Sequence, residues 1–159
     1  MLRITLTIDN QPQFDRVFTR FTEQLSDLRQ LWPGVVSDLR LMMREQFAGR
    51  GVGPAGQWRQ LSRQYAEWKA QHFPGLPILQ RTRRLVTSLT GNTADTVYDP
   101  QPLTLSFGTR APYAIFHQRG TKRMPRRAIF DFNEVQKTRL TKTVQRRLLS
   151  AVRPGVSLQ

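Results

Sequence analysis

The stretch Thr96-Val97-Tyr98-Asp99-Pro100-Gln101-Pro102-Leu103-Thr104-Leu105-Ser106-Phe107 decides the fold class. Two β-prone runs, Thr96 to Asp99 and Leu103 to Phe107, flank Asp99-Pro100-Gln101-Pro102, whose prolines favour a turn and withhold ladder donors. The expectation is an antiparallel hairpin. Around it the spacing is mostly helical. Upstream, Ile78 to Leu89 has Leu79, Leu85, Val86 and Leu89 apolar and Arg81, Arg83 and Arg84 on other faces, and a short helix before it carries Leu61, Tyr65 and Trp68. Downstream, the expectation is a short helical turn over Pro112 to His117 and an irregular basic stretch ending in a strand over Ala128 to Phe132. Asn133 is then placed to cap a last helix that runs to about Val152.

The N-terminal part begins with a strand pattern, Leu2, Ile4, Leu6 and Ile8 alternating with polar residues, which Asp9, Asn10 and Pro12 break. Phe14, Val17, Phe18, Phe21, Leu25, Leu28 and Leu31 then follow helical steps. Trp32-Pro33-Gly34 interrupts the pattern, and Val35, Leu39, Met42, Met43 and Phe47 resume it, giving two helices or one long kinked helix. The sum is an α+β fold: a small, mostly antiparallel sheet packed with helices, a long N-terminal helical segment and a C-terminal helix. One domain over residues 1–159 is expected. Its parts are 1–48, the glycine-rich 49–57 as a flexible loop, a basic core over 58–153 and a tail over 154–159.

The charge is uneven. The chain has 159 residues, 25 Lys and Arg against 11 Asp and Glu, and a formal net charge of +14. Residues 1–48 are neutral, with six charges of each sign, so the whole excess lies in residues 49–159. Such a surplus implies an anionic partner or acidic neighbours in an assembly. Cysteine is absent, which excludes disulfides, thiolate metal sites and thiol nucleophiles. Neither a signal peptide nor a run of ~18 apolar residues is visible, so a protein made in a reducing cytoplasm, or built into a particle there, is expected.

The residues of a catalytic site are sparse. The two histidines, His72 and His117, have no metal-ligand spacing. Asp131 and Glu134 are the nearest approach to a nuclease's paired carboxylates, and their place suits a helix N-terminus better. The glycines of 49–57 follow no strand and precede no GKS or GKT, so they make no phosphate cradle. Residues 119–153 hold eleven basic side chains against two acidic ones, a tract able to contact phosphates with strong salt dependence. No helix-turn-helix or zinc-finger spacing accompanies it, so sequence-specific reading of DNA is not expected.

Several blocks resemble, in order and spacing, the tailed-phage virion morphogenesis family, also called tail completion proteins, with members in Mu-like prophages. They are Trp58-Arg59-Gln60-Leu61-Ser62-Arg63-Gln64-Tyr65-Ala66-Glu67-Trp68-Lys69, then Ile78-Leu79-Gln80-Arg81-Thr82 with Arg84-Leu85 and Ser88-Leu89, then Pro112-Tyr113-Ala114, His117-Gln118 and Gly120-Thr121. Met124-Pro125-Arg126-Arg127-Ala128-Ile129-Phe130 stands where the family has a strand before its last helix. The resemblance spans roughly residues 40 to 150. Three residues depart from it: Arg83 where Gly is frequent, Arg119 for an aromatic, and Ala128 for Pro.

The resemblance implies a non-enzymatic structural protein of the virion, with no catalytic residue, metal or cofactor, acting at the head–tail junction. Its implied partners are copies of itself in a ring of six or twelve and the neighbouring connector and tail proteins; the charge of such a ring leaves contact with packaged DNA open, and no membrane is expected. Tyr65, Trp68, Pro112, Tyr113, His117, Gly120 and Thr121 become the fold-defining or interface residues. Arg119, Lys122, Arg123, Arg126 and Arg127 become a basic contact strip. The alternative, resting on charge alone, is a non-specific nucleic-acid-binding module.

Overall fold

The computed structural model describes residues 26–152. The expected first strand, Leu2 to Ile8, and most of the first helical face, Phe14 to Leu25, lie outside the described residues. Helix α1 spans Trp32–Ala48. The tripeptide expected to interrupt the helical pattern instead begins the helix. Pro33 lies in the first turn, where a missing N–H leaves no hydrogen bond unmade and the fixed φ already suits a helix. The start is anchored from outside: Trp32 Nε1 donates to the Gln101 carbonyl at 2.7 Å and the Leu28 amide to that of Pro102 at 2.7 Å. One face of α1, Val35, Val36, Met42, Met43, Gln46 and Phe47, is buried.

Residues 49–57 are held in place, where composition suggested a flexible loop. The amides of Gly51, Gly56 and Trp58 donate to Gln46, Gly53 and Arg50 carbonyls at 2.7–2.9 Å, and Asp131 Oδ2 accepts from Ala55 N at 2.8 Å. Gly53 is required by contact, because a Cβ there would sit 2.0 Å from the Asp131 carbonyl.

Helix α2, Arg63–His72, is capped by Ser62, whose hydroxyl accepts from the Tyr65 amide. Helix α3 is shorter than expected, Arg84–Thr90. Residues 78–83 form turns because Leu79 and Arg83 have φ of 61° and 56°, outside the right-handed helix. Lys69 Nζ also takes the Leu76 and Pro77 carbonyls at 2.7 and 2.5 Å.

Strands β1, Thr96–Pro100, and β2, Leu105–Thr109, form the expected antiparallel hairpin, with Tyr98 opposite Phe107. The turn falls two residues later than the prolines suggested: Gln101 N bonds the Thr104 carbonyl at 2.8 Å and Leu103 stands exposed. Pro100 is accommodated as the last residue of its strand. Helix α4 covers Ala114–Arg119, and α5 covers Glu134–Val152. Asn133 caps α5 as expected. Its Oδ1 accepts from Gln136 N at 2.9 Å, and Gln136 Oε1 accepts from Asn133 N at 3.1 Å, a reciprocal capping pair.

The described residues therefore make an α+β fold of five helices and one two-stranded antiparallel sheet. Helix α1 packs on α3 and α5, and α3 covers the hairpin. The core gathers Met43, Phe47, Trp58, Leu85, Leu89 and Ile129, with Phe47 and Trp58 edge to face at 5.4 Å. No strand forms over Ala128 to Phe132, because side chains take the hydrogen bonds a strand partner would make. Gln118 Oε1 accepts from Ile129 N and Phe130 N at 2.7 and 2.9 Å, and Gln118 Nε2 donates to the Phe130 carbonyl. The Ala128 carbonyl accepts from both Gln46 Nε2 and Trp58 Nε1. No helix among the described residues is long and apolar enough to cross a membrane.

Candidate functional site

A cleft of about 1020 Å³ opens between α2, the turns after Leu79, the start of α4 and residues 123–127. Its apolar lining comes from Leu61, Tyr65, Leu79, Tyr113, Met124 and Pro125. Its charged lining is entirely cationic: Arg59, Lys69, Arg81, Arg84, Arg123 and Arg127.

These cations differ in their state. Lys69 and Arg127 are buried, each 5% exposed. Lys69 is spent on the two carbonyls that shape the turn after α2. Burial, with Arg50 nearby, holds its ammonium below the usual lysine range. Arg127 donates from Nε to the Arg59 carbonyl at 2.8 Å and from Nη2 to that of Gln60 at 3.1 Å, and its amide bonds the His117 carbonyl. Burial, with Arg59 nearby, lowers its pKa too. Arg84 pairs with Asp95, which the guanidinium holds below the ordinary carboxylate range. Arg59, Arg81 and Arg123 are exposed and meet no carboxylate among the described residues, and Arg81 lies 5.7 Å from the centre of the Phe73 ring.

His117 forms part of the wall, edge to face with Tyr113 at 6.0 Å. Its Nδ1 is enclosed without a hydrogen-bond partner among the described residues, and burial, with Arg127 beside it, holds its pKa below the usual histidine range, which favours the neutral ring. Neither histidine shares a hydrogen bond with a hydroxyl among the described residues: His72 Nδ1–H donates to the Trp68 carbonyl at 2.8 Å. Three of the glutamates are engaged in structural pairs: Glu45 with Arg139 and Gln136, Glu67 with Arg63, Glu134 with Lys137. Of the two carboxylates near the start of α5, Asp131 accepts from the Ala55 amide in the glycine-rich loop and Glu134 pairs with Lys137. Among the described residues no three His, Asp or Glu side chains gather to hold a metal ion.

The residues singled out in the sequence separate into groups. Tyr65, Tyr113, His117, Arg123 and Arg127 converge on the cleft from three distant blocks. Trp68 lies beside it on α2, 38% exposed, in an aromatic stack with Tyr65 at 5.5 Å and His72 at 4.7 Å. Pro112 is exposed ahead of α4. Gly120 and Thr121 shape a turn. Thr121 N and Met124 N each bond the other residue's carbonyl, at 2.8 and 3.2 Å, and a Cβ on Gly120, whose φ is 77°, would meet Arg126 N at 2.8 Å. The close backbone approach required of Gly120 is to the chain's own Arg126.

The contact strip needs one correction. Arg119, Lys122, Arg123 and Arg126 are exposed, whereas Arg127 points inward to backbone carbonyls and is unavailable to a partner. Its two bonds satisfy acceptors at the N-terminal end of the Trp58 block, which is why it is buried without a carboxylate. Arg59, Lys69, Arg81 and Arg84 were not singled out from the sequence. They stand in pairs, Arg59 with Lys69 in 58–69 and Arg81 with Arg84 in 78–85, outside the dense basic tract that draws the eye. Comparison of the chain with family models, curated proteins and solved structures gave no match.

Proposed function

We propose that this chain is a non-enzymatic structural subunit of a tailed-phage virion. It acts at the head–tail junction as a tail-completion or neck ring subunit, assembled in the host bacterial cytoplasm. One observation carries the reading beyond the residue blocks themselves: blocks separated along the chain, the most distant pair by 68 residues, are tied to each other. Arg127 joins the last block to the Trp58 block, and Gln118 and the His117 carbonyl join it to the Pro112–Thr121 block. The blocks that resemble the family thus form one structural unit around one cleft. Exposed Arg119, Lys122 and Arg126 on the neighbouring turn supply a cationic rim for an acidic neighbour.

The test is the mass of the purified protein by light scattering at low and high salt. A closed ring of six or twelve copies is the expected result. The charge of +14 favours the second reading, a nucleic-acid-binding module. Sub-micromolar affinity for duplex DNA at physiological salt, with a log–log salt slope of several units and no ring, would establish it instead.

A further inference from the structure

The cleft contains more positive charge than the protein uses. Lys69, Arg84 and Arg127 have structural partners, but Arg59, Arg81 and Arg123 are exposed on its wall without a carboxylate among the described residues; Leu61, Leu79, Met124 and Pro125 give the floor its apolar part, and Glu67 and Asp95 are committed to Arg63 and Arg84. The volume, about 1020 Å³, is at the upper end of the ~300–1,000 Å³ common for ligand sites and accommodates several residues of extended chain. Duplex nucleic acid is too wide to enter and would leave the floor uncovered. Unpaired bases bind by stacking on free aromatic faces, and the cleft offers few: one face of Tyr65 is covered by Trp68, and Tyr113 meets the His117 ring edge to face. An extended peptide fits both features, because successive side chains point to opposite sides. Apolar ones fill the floor while carboxylates meet guanidinium groups in paired hydrogen bonds.

We propose that this cleft binds an extended acidic peptide segment of a docking protein, with its carboxylates on Arg59, Arg81 and Arg123 and its apolar side chains over Leu61, Leu79 and Met124. That the docking protein is a virion component rests on the neck-subunit reading; peptide binding by the isolated chain does not, so the two ideas fail separately.

The probe is a fluorescein-labelled, end-blocked octapeptide of alternating leucine and glutamate, titrated with the full chain and followed by anisotropy. The same peptide with lysine for glutamate and an eight-nucleotide oligothymidylate are the comparisons. Two triple variants remove equal exposed charge: Arg59→Ser/Arg81→Ser/Arg123→Ser within the cleft, and Arg119→Ser/Lys122→Ser/Arg126→Ser outside it. The acidic peptide is expected to bind saturably, weakened roughly tenfold or more by the cleft triple and much less by the other. Arg123→Glu alone, exposed on its turn, must act in the same direction if the cleft triple melts early. Absence of saturable binding, equal loss in the two triples, or equal binding of the lysine peptide would overturn the proposal. Tighter binding of oligothymidylate that the cleft triple abolishes would make the cleft a single-strand groove. Self-association abolished by that triple, with no peptide binding, would give it to a second copy of this chain.

Discussion

Replacing Gln118 with methionine keeps the side chain's length and approximate volume but removes three hydrogen bonds that hold residues 129–130 against α4. The Ile129 and Phe130 amides both use Gln118 Oε1, at 2.7 and 2.9 Å, and the Phe130 carbonyl takes Gln118 Nε2 at 3.1 Å. Ile129 is 1% exposed, so its N–H finds no water after the change; Phe130 is half-buried and recovers part of its loss. An unsatisfied buried donor costs ~1–3 kcal/mol, so Gln118→Met should destabilise the protein by about 2–4 kcal/mol. That is a large part of the ~5–15 kcal/mol typical of a whole domain. Gln118→Glu separates the bonds: its carboxylate still accepts from both amides but sets an oxygen against the Phe130 carbonyl, so a smaller loss is expected. Urea unfolding followed by tryptophan fluorescence measures both, with a shifted midpoint at unchanged slope as the sign of a pure stability change. In hydrogen exchange the Ile129 and Phe130 amides should lose protection in Gln118→Met ahead of the core helices. A Gln118→Met midpoint indistinguishable from wild type, with those amides still protected, would refute the claim that side chains replace the missing strand partner.

Three further outcomes follow from the geometry. Because the folded state holds His117 neutral while the unfolded chain protonates it near 6.5, stability should be full above that pH and decline as pH falls below it. Urea midpoints at pH 7.5 and 5.5 should therefore differ more in wild type than in His117→Gln. Gly120→Ala should cost about 1–3 kcal/mol in thermal or urea unfolding, because φ of 77° with ψ of 172° is a glycine conformation and the new Cβ meets Arg126 backbone. Arg127→Glu should abolish soluble folded protein, since it buries a carboxylate against two carbonyl oxygens, whereas Arg126→Glu on the adjacent exposed position should leave circular dichroism and melting near wild type.

Much of this architecture is written in local pattern. The hairpin, α2, the C-terminal helix and its Asn133 cap follow from period, turn residues and capping chemistry, which act over a few residues. Departures arise where long-range contacts decide. Pro33 looks like a break until Trp32 is seen anchored to the Gln101 carbonyl, which makes the proline a first-turn residue. The glycines of 49–57 suggest freedom, yet Asp131, 76 residues beyond Ala55, fixes them. Residues 128–130 have strand composition but are satisfied by Gln46, Trp58 and Gln118, partners that no period announces.

The site is legible to the same degree. Tyr65, Tyr113, His117 and Arg123, each marked in the sequence, do share a cleft. The inward turn of Arg127 is not legible, because an arginine beside Arg126 in a basic run gives no sign of which one faces carbonyls. Arg59 and Arg81 are likewise ordinary charges until folding sets them on one rim. Charge reversal across the strip must therefore spare Arg127 if it is to report on contacts rather than on folding.

The central claim, a role in joining heads to tails, is tested most directly by electron microscopy of lysates from a phage carrying this gene with the gene deleted. The account predicts filled heads and separate tails that do not join, with infectious particles restored by supplying the wild-type chain from a plasmid. Complete, infectious particles in the absence of the chain would contradict it.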